Sequence, residues 1–237
     1  MERLFITGDK HGDFQLVEKF VEDYHTTKDD YLIVLGDAGV NYYNDERDQY
    51  LKAQLEALPI TFLFIHGNHE MRPQTIPTYE LQFLERPELA GAFYIEPDYP
   101  SLLFVRRGLF WFQDKRFLIC DGAYSIDKFY RLSLGWNWWS DEQMTDDDHM
   151  FIRSVIKFNP RCDYVLSHAA PLSHEPHHLF MTNHQFQVDR STPKFLDEVY
   201  DSIDHDYLTQ WYFGHYHGDE KLPDKFTILF NSFEQVV

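Results

Sequence analysis

Five short apolar runs in this chain each stop abruptly at residue types that ligate metals. Leu4–Thr7 runs into Gly8-Asp9-Lys10-His11, Tyr31–Leu35 into Gly36-Asp37, and Thr61–Ile65 into His66-Gly67-Asn68-His69-Glu70. Tyr164–Ser167 leads to His168, and Trp211–Phe213 to Gly214-His215-Tyr216-His217. β-Branched and aromatic residues followed by a polar break read as buried strands, and open α/β sheets place ligands beyond the carboxyl ends of their strands. The five ends offer Asp, Asn and His, oxygen and imidazole donors suited to paired cations such as Mn, Fe, Zn or Co.

Between these ends the pattern is βαβαβ. Phe14, Leu16, Val17, Phe20 and Val21 recur at helical spacing over Asp13–Tyr24, with Asp13 as N-cap. A second helix is predicted over Glu46–Leu58, with Tyr50, Leu51, Leu55 and Leu58 on its buried face and Pro59 as its stop. Parallel pairing with right-handed crossovers follows. From Met71 to Pro100 five prolines break the periodicity, and the stretch reads as a covering excursion with a short helical turn at Tyr79–Glu85. Residues 102–105, 109–113 and 116–120 read as antiparallel hairpin strands.

The stretch 121–141 has no period, and its tryptophans read as scaffold rather than as a pocket wall. Ser140 or Asp141 caps a helix running to Phe158, whose first turns carry Asp146, Asp147 and Asp148 beside the positive end of the dipole. Residues 169–192 form a loop with His174, His177, His178 and His184 at a solvated surface or substrate rim. Pro193 opens a last helix to Ile203, and strands at 209–213 and 226–230 close the chain. The length of 237 residues, 43% of them hydrophobic, suits one domain over residues 1–237.

Charge narrows the partners. The formal balance is −18, and two divalent cations would leave it strongly negative. Such a field repels long polyanions, whose binding needs many phosphates neutralised by Lys and Arg, so long nucleic acid is an expected non-partner. No apolar run reaches the roughly 18 residues of a membrane helix. The first strand begins almost at Met1 with no leader ahead of it, so a cytoplasmic protein is expected. Cys120 and Cys162 lie in apolar segments and read as buried thiols.

Taken singly, each site residue has an ordinary explanation: Asp9 and Asp37 as caps, His168 as a satisfied core histidine, Asn68 as a turn residue. In extended chain, residues two apart face the same side, so Asp9 with His11, and His215 with His217, each present two donors to one pocket. Five coincidences at strand ends outweigh the ordinary explanations. In the order Asp-x-His, Gly-Asp, Gly-Asn-His-Glu, His and Gly-His-x-His, the chain resembles the calcineurin-like metallophosphoesterases over residues 8–217. The resemblance implies a four-layer α/β/β/α sandwich of two mixed sheets flanked by helices.

It also implies two metal ions, one on Asp9, His11 and His217, the other on Asn68, His168 and His215, with Asp37 bridging them and a bridging hydroxide as nucleophile. His69 takes the family position beside the leaving oxygen, and Glu70 orients its neighbours. The chain departs from the protein phosphatases of that superfamily in lacking an arginine after Asp37. Arg72 resembles a second arginine those enzymes place after Gly-Asn-His-Glu and is read as a phosphate donor; Lys10, Lys128 and Arg131 are weaker candidates. The expected function is hydrolysis of small phosphomonoesters, phosphoserine and phosphothreonine peptides among them. The alternatives are a phosphodiesterase for cyclic nucleotides or short oligonucleotides, and an idle metal-binding scaffold.

Overall fold

The computed structural model describes residues 2–180 and 188–237, so His184 lies outside the described residues. Its strands, in chain order, are β1 (Leu4–Thr7), β2 (Tyr31–Val34), β3 (Thr61–Phe64), β4 (Glu80–Glu85), β5 (Leu89–Ile95), β6 (Leu102–Val105) and β7 (Gly108–Phe112). They continue with β8 (Lys115–Cys120), β9 (Tyr164–Ser167), β10 (Gln210–Phe213), β11 (Glu220–Leu222), β12 (Phe226–Ile228) and β13 (Phe233–Gln235). The helices are α1 (Gln15–Tyr24), α2 (Glu46–Ala57), α3 (Lys128–Ser133), α4 (Asp146–Phe158) and α5 (Ser191–Ser202). None of the described helices is long and apolar enough to cross a membrane.

The fold is mixed α/β. Strands β1, β2, β3 and β6 pair in parallel, as do β8, β9, β10 and β12. β5 pairs antiparallel with both β6 and β7 and so joins the two parallel groups. The strands expected in two sheets therefore lie on one unbroken hydrogen-bonded path, with β13 at one edge and β11 at the other. The sheet curls on itself: Ile6, Ile33 and Leu63 of one half share a core with Ile119, Leu166 and Tyr212 of the other.

The opposite faces are covered by helices. Phe5, Leu32 and Phe64 pack on Val17 and Phe20 of α1 and Leu55 of α2. Val165, Trp211 and Phe213 pack beneath Ile152 of α4 and Leu196 of α5. Each such buried side chain is worth about 1.5–3 kcal/mol, so three cores hold the strand ends firmly in place.

Several local expectations change. The 71–100 excursion contains the β4–β5 hairpin in place of a helical turn, because β4 pairs along its whole length with β5 while its side chains stay largely exposed. On α2 the buried residues are Asp48, Lys52 and Leu55, and Tyr50 is 69% exposed. Two polar contacts turn the helix that way: Asp48 accepts from the backbone of Tyr43 and Asn44, and Lys52 reaches Glu96 at 2.5 Å. α4 starts later than expected, where Thr145 and Asp148 form a reciprocal capping box. Both cysteines are buried and unpaired, and burial pushes the Cys162 thiol up to about 12.

Candidate metal centre

The parallel groups deliver their carboxyl ends to one rim. Asp9 follows β1, Asp37 follows β2, Asn68 and His69 follow β3, His168 follows β9, and His215 and His217 follow β10. Three donor groups each fall within 4.8 Å: Asp9, His11 and His217; His11, Asp37 and His69; and Asp9, Asp37 and His168. Asp9 Oδ2 lies 3.3 Å from His217 Nε2 and 3.8 Å from His11 Nε2. His168 Nε2 lies 3.4 Å from Asp37 Oδ2 and 2.9 Å from Asn68 Oδ1. The His215 ring packs 5.0 Å from that of His168, and its backbone N–H donates to Asp9 Oδ1 at 3.0 Å.

Two glycines make this approach possible. A Cβ on Gly214 would sit 2.2 Å from Asp9 Oδ1, and one on Gly67 only 2.0 Å from Asp37 Oδ1. The Asp37 carboxylate needs that space, since Oδ1 also accepts the His69 backbone N–H at 2.7 Å.

The charge balance calls for cations. Asp9 and Asp37 are each 2% exposed, and among the described residues their side chains pair only with histidines. Burial disfavours both the His168 charge and the carboxylate charges. The two carboxylates outweigh it at His168 and hold that imidazole protonated up to about 10, while burial and the neighbouring His168 push His215 down to about 3. An oxygen-and-imidazole donor set this crowded, with no Lys or Arg paired to its carboxylates among the described residues, suits divalent metals. His168 is already set for it: Nδ1 sits 2.6 Å from the Leu35 carbonyl, to which it donates, so Nε2 faces the carboxylates.

Residues outside the sequence-predicted set steady the cluster. Asn68 Nδ2 donates to Ser125 Oγ at 2.9 Å, which donates to Glu142 at 2.5 Å, which in turn accepts from Trp138 Nε1 at 2.7 Å. This chain directs the Asn68 oxygen at His168. Asp127 lies 3.5 Å from His69 Nε2 and 4.0 Å from Arg131. Burial works against protonation of His69, but Asp37 and Asp127 outweigh it and raise its pKa above the ordinary value. One signal for these residues was present in the sequence. β8 ends in Asp121-Gly122 and runs parallel to β9, so it is a sixth strand end at the same rim.

Arg72 is a correction. It is 3% exposed, donates to the backbone carbonyls of Asp141 and Gln143, and lies 3.7 Å from Asp121, so its guanidinium pins the 121–143 stretch and is not available to a phosphate. Glu70 is fully buried and accepts from the Gly67 N–H at 3.2 Å; burial and Asp37 raise its carboxyl to about 8. His174 stacks on Phe226 and His178 pairs with Glu220, so both lie apart from the three donor groups.

Arg107 joins the Arg72 network, bonding Asp121 at 2.9 Å and pairing with Asp148. Burial raises the Asp121 pKa, but Arg107 and Arg72 outweigh it and hold the carboxyl below its ordinary value. That stabilisation is complete above the ordinary carboxylate pKa of about 4 and is lost as pH falls through the lowered value. Arg107→Ala leaves the buried carboxylate with Arg72 alone, 3.7 Å away, and is expected to cost about 1.5–3 kcal/mol, read as a lower urea midpoint at neutral pH. An unchanged midpoint would mean that the network does not hold this loop.

Residues 2–219 match the family described as calcineurin-like phosphoesterase. No curated protein matches the sequence. Among solved structures, a protein of unknown function from Aquifex aeolicus is similar at 13% identity, covering 70% of this chain and 77% of its own, with a TM-score of 0.28.

Proposed function

The chain belongs to the calcineurin-like phosphoesterase family, and from that premise we propose that it is a dinuclear-metal hydrolase of small phosphate esters. The observation that carries this reading is that three overlapping donor groups, drawn between them from five strand ends, each close to within 4.8 Å. Asp9, His11 and His217 would hold one cation and Asn68, His168 and His215 the other, with Asp37 in reach of both. When bound, such a pair withdraws charge from phosphoryl oxygens and makes water acidic enough to attack near neutral pH. The same reading takes the curled sheet and its helices as a four-layer sandwich, in a cytoplasmic protein without long nucleic-acid partners.

The side chains supply positioning and a proton. Ser125 fixes which Asn68 atom faces the cluster, and the Leu35 carbonyl fixes the His168 tautomer. His69, the site histidine with Asp127 beside it, delivers a proton to the leaving oxygen.

The sequence leans towards monoesters through Arg72 and through an acidic field unfavourable to polynucleotides, and an Arg72 turned to the carbonyls of Asp141 and Gln143 no longer supports that lean. Lys10 donates to the Phe230 carbonyl at 2.6 Å, Arg131 to the Asn137 carbonyl, and Lys128 lies over the Trp138 ring at 3.9 Å. With Arg72, Lys10 and Arg131 turned to backbone carbonyls and Lys128 over an indole, none of the four candidates supports a second negative charge at the metals, so a monoanionic diester suits the site better. Metal-loaded protein is expected to hydrolyse bis(p-nitrophenyl) phosphate at least about tenfold more efficiently than p-nitrophenyl phosphate, a difference of about 1.4 kcal/mol in the barrier. The reverse order would restore the monoester and phosphopeptide reading, and inactivity on both, with metals bound, would favour an idle scaffold.

A further inference from the structure

A cleft of about 840 Å³ opens from His11 and His69 and extends along α2 to the loop at Trp136. That volume lies within the about 300–1,000 Å³ of pockets that hold whole small molecules, and far exceeds the need of a phosphoryl group alone. Its walls are aromatic. Tyr50 is 69% exposed, Trp136 53% and Tyr43 44%, and all three line this one cleft. Single exposed aromatics need no explanation, but three around one hollow floored by site histidines form a surface ready to stack.

Arg47 decides what kind of group the hollow takes. Its guanidinium carbon sits over the Tyr43 ring, 3.4 Å from the centroid, and its nitrogens donate to both oxygens of Asp45 at 2.6 to 3.1 Å. The side chain is 62% exposed and lines the cleft, so the face away from Tyr43 is open. Its charge is already met by Asp45, with Asp48 also in the lining, so the cleft offers a further anion little. An open guanidinium face in the same cleft as Trp136 and Tyr50 offers a planar ring a great deal.

We infer that this cleft binds the alcohol portion of the substrate and selects esters whose alcohol carries a planar aromatic or heteroaromatic ring, held between Arg47 and Trp136. The inference rests on the phosphoesterase reading only in assigning the cleft to the substrate. Nucleosides and aryl alcohols share this chemistry.

Binding to the full chain, followed by equilibrium dialysis, tests it without calling on activity. Adenosine 5′-monophosphate is expected to bind at least roughly tenfold more tightly than ribose 5-phosphate, within the range stacking supplies. Phosphotyrosine against phosphoserine is the aryl arm, and a ring preference in either arm supports the inference and identifies the source of the ring. Trp136→Ala should bring the ring-to-ringless ratio close to one, while Trp136→Phe should keep most of it. Equal binding of ringed and ringless probes in both arms overturns the inference, as does octyl phosphate matching the nucleotide, which would make the requirement apolar rather than planar. A chain that binds the nucleotide selectively but hydrolyses no ester refutes the proposed function alone. One that hydrolyses esters without ring preference refutes this inference alone.

Discussion

Asp37→Asn is expected to abolish turnover while leaving the fold in place. Asp37 sits at the centre of the site: Oδ2 faces His168 at 3.4 Å, Oδ1 accepts the His69 N–H, and the residue belongs to two of the three donor groups. An amide keeps the shape but removes the charge that would reach both cations. Loss of that arrangement forfeits several kcal/mol of transition-state charge stabilisation, on the order of a 10³-fold drop in kcat/KM. Elemental analysis of the variant should show metal content falling with activity, and circular dichroism should stay native. Near-normal turnover with full metal content would remove Asp37 from the centre of the account.

His69→Ala should behave differently. The side chain is 26% exposed, lines the cleft beside Asp127, and supplies a proton to the departing oxygen in the proposed mechanism. Its loss is expected to lower kcat by roughly 10²–10⁴-fold on esters with alkyl leaving groups, with metal content unchanged. The defect should shrink on p-nitrophenyl esters, because a nitrophenolate departs readily without protonation. An equal loss on both substrate types would show that His69 does not act as an acid.

The two variants separate holding from chemistry, and the sequence made that separation only partly visible. Strands β1, β2, β3, β9 and β10 were legible because each is a buried, mainly apolar run cut off by polar residues, with only Gln210 of β10 partly exposed, and a parallel sheet puts such ends on one rim. β4, β11 and β13 were not, since exposed and charged residues such as Glu80, Lys221 and Glu234 hide the alternation that marks a strand. Apolar spacing put Tyr50 on the buried face of α2. Asp48 and Lys52 took that place through contacts distant in sequence or hidden in a turn, and the displaced tyrosine became part of the cleft.

The site shows the same division. Which residues stand at the strand ends is written locally, but where a long side chain points is not. Arg72 follows the Gly-Asn-His-Glu motif and yet turns to carbonyls at 141 and 143, some seventy residues onward, because a buried guanidinium is stable only where acceptors surround it. Ser125, Asp127 and Glu142 had only the Asp121-Gly122 break after β8 to announce them, and no metal-ligand motif. They matter through contacts with Asn68 and His69 that the curl of the sheet creates.

The central claim is that side chains from opposite halves of one curled sheet grip two neighbouring cations. Metal content per chain, measured by mass spectrometry on protein whose phosphoesterase activity has been titrated in parallel, tests it most directly. The account predicts that full activity is reached at two metal ions per chain, with Asp9 and His168 variants each losing occupancy. Full activity with one metal ion per chain, or with none, would contradict it.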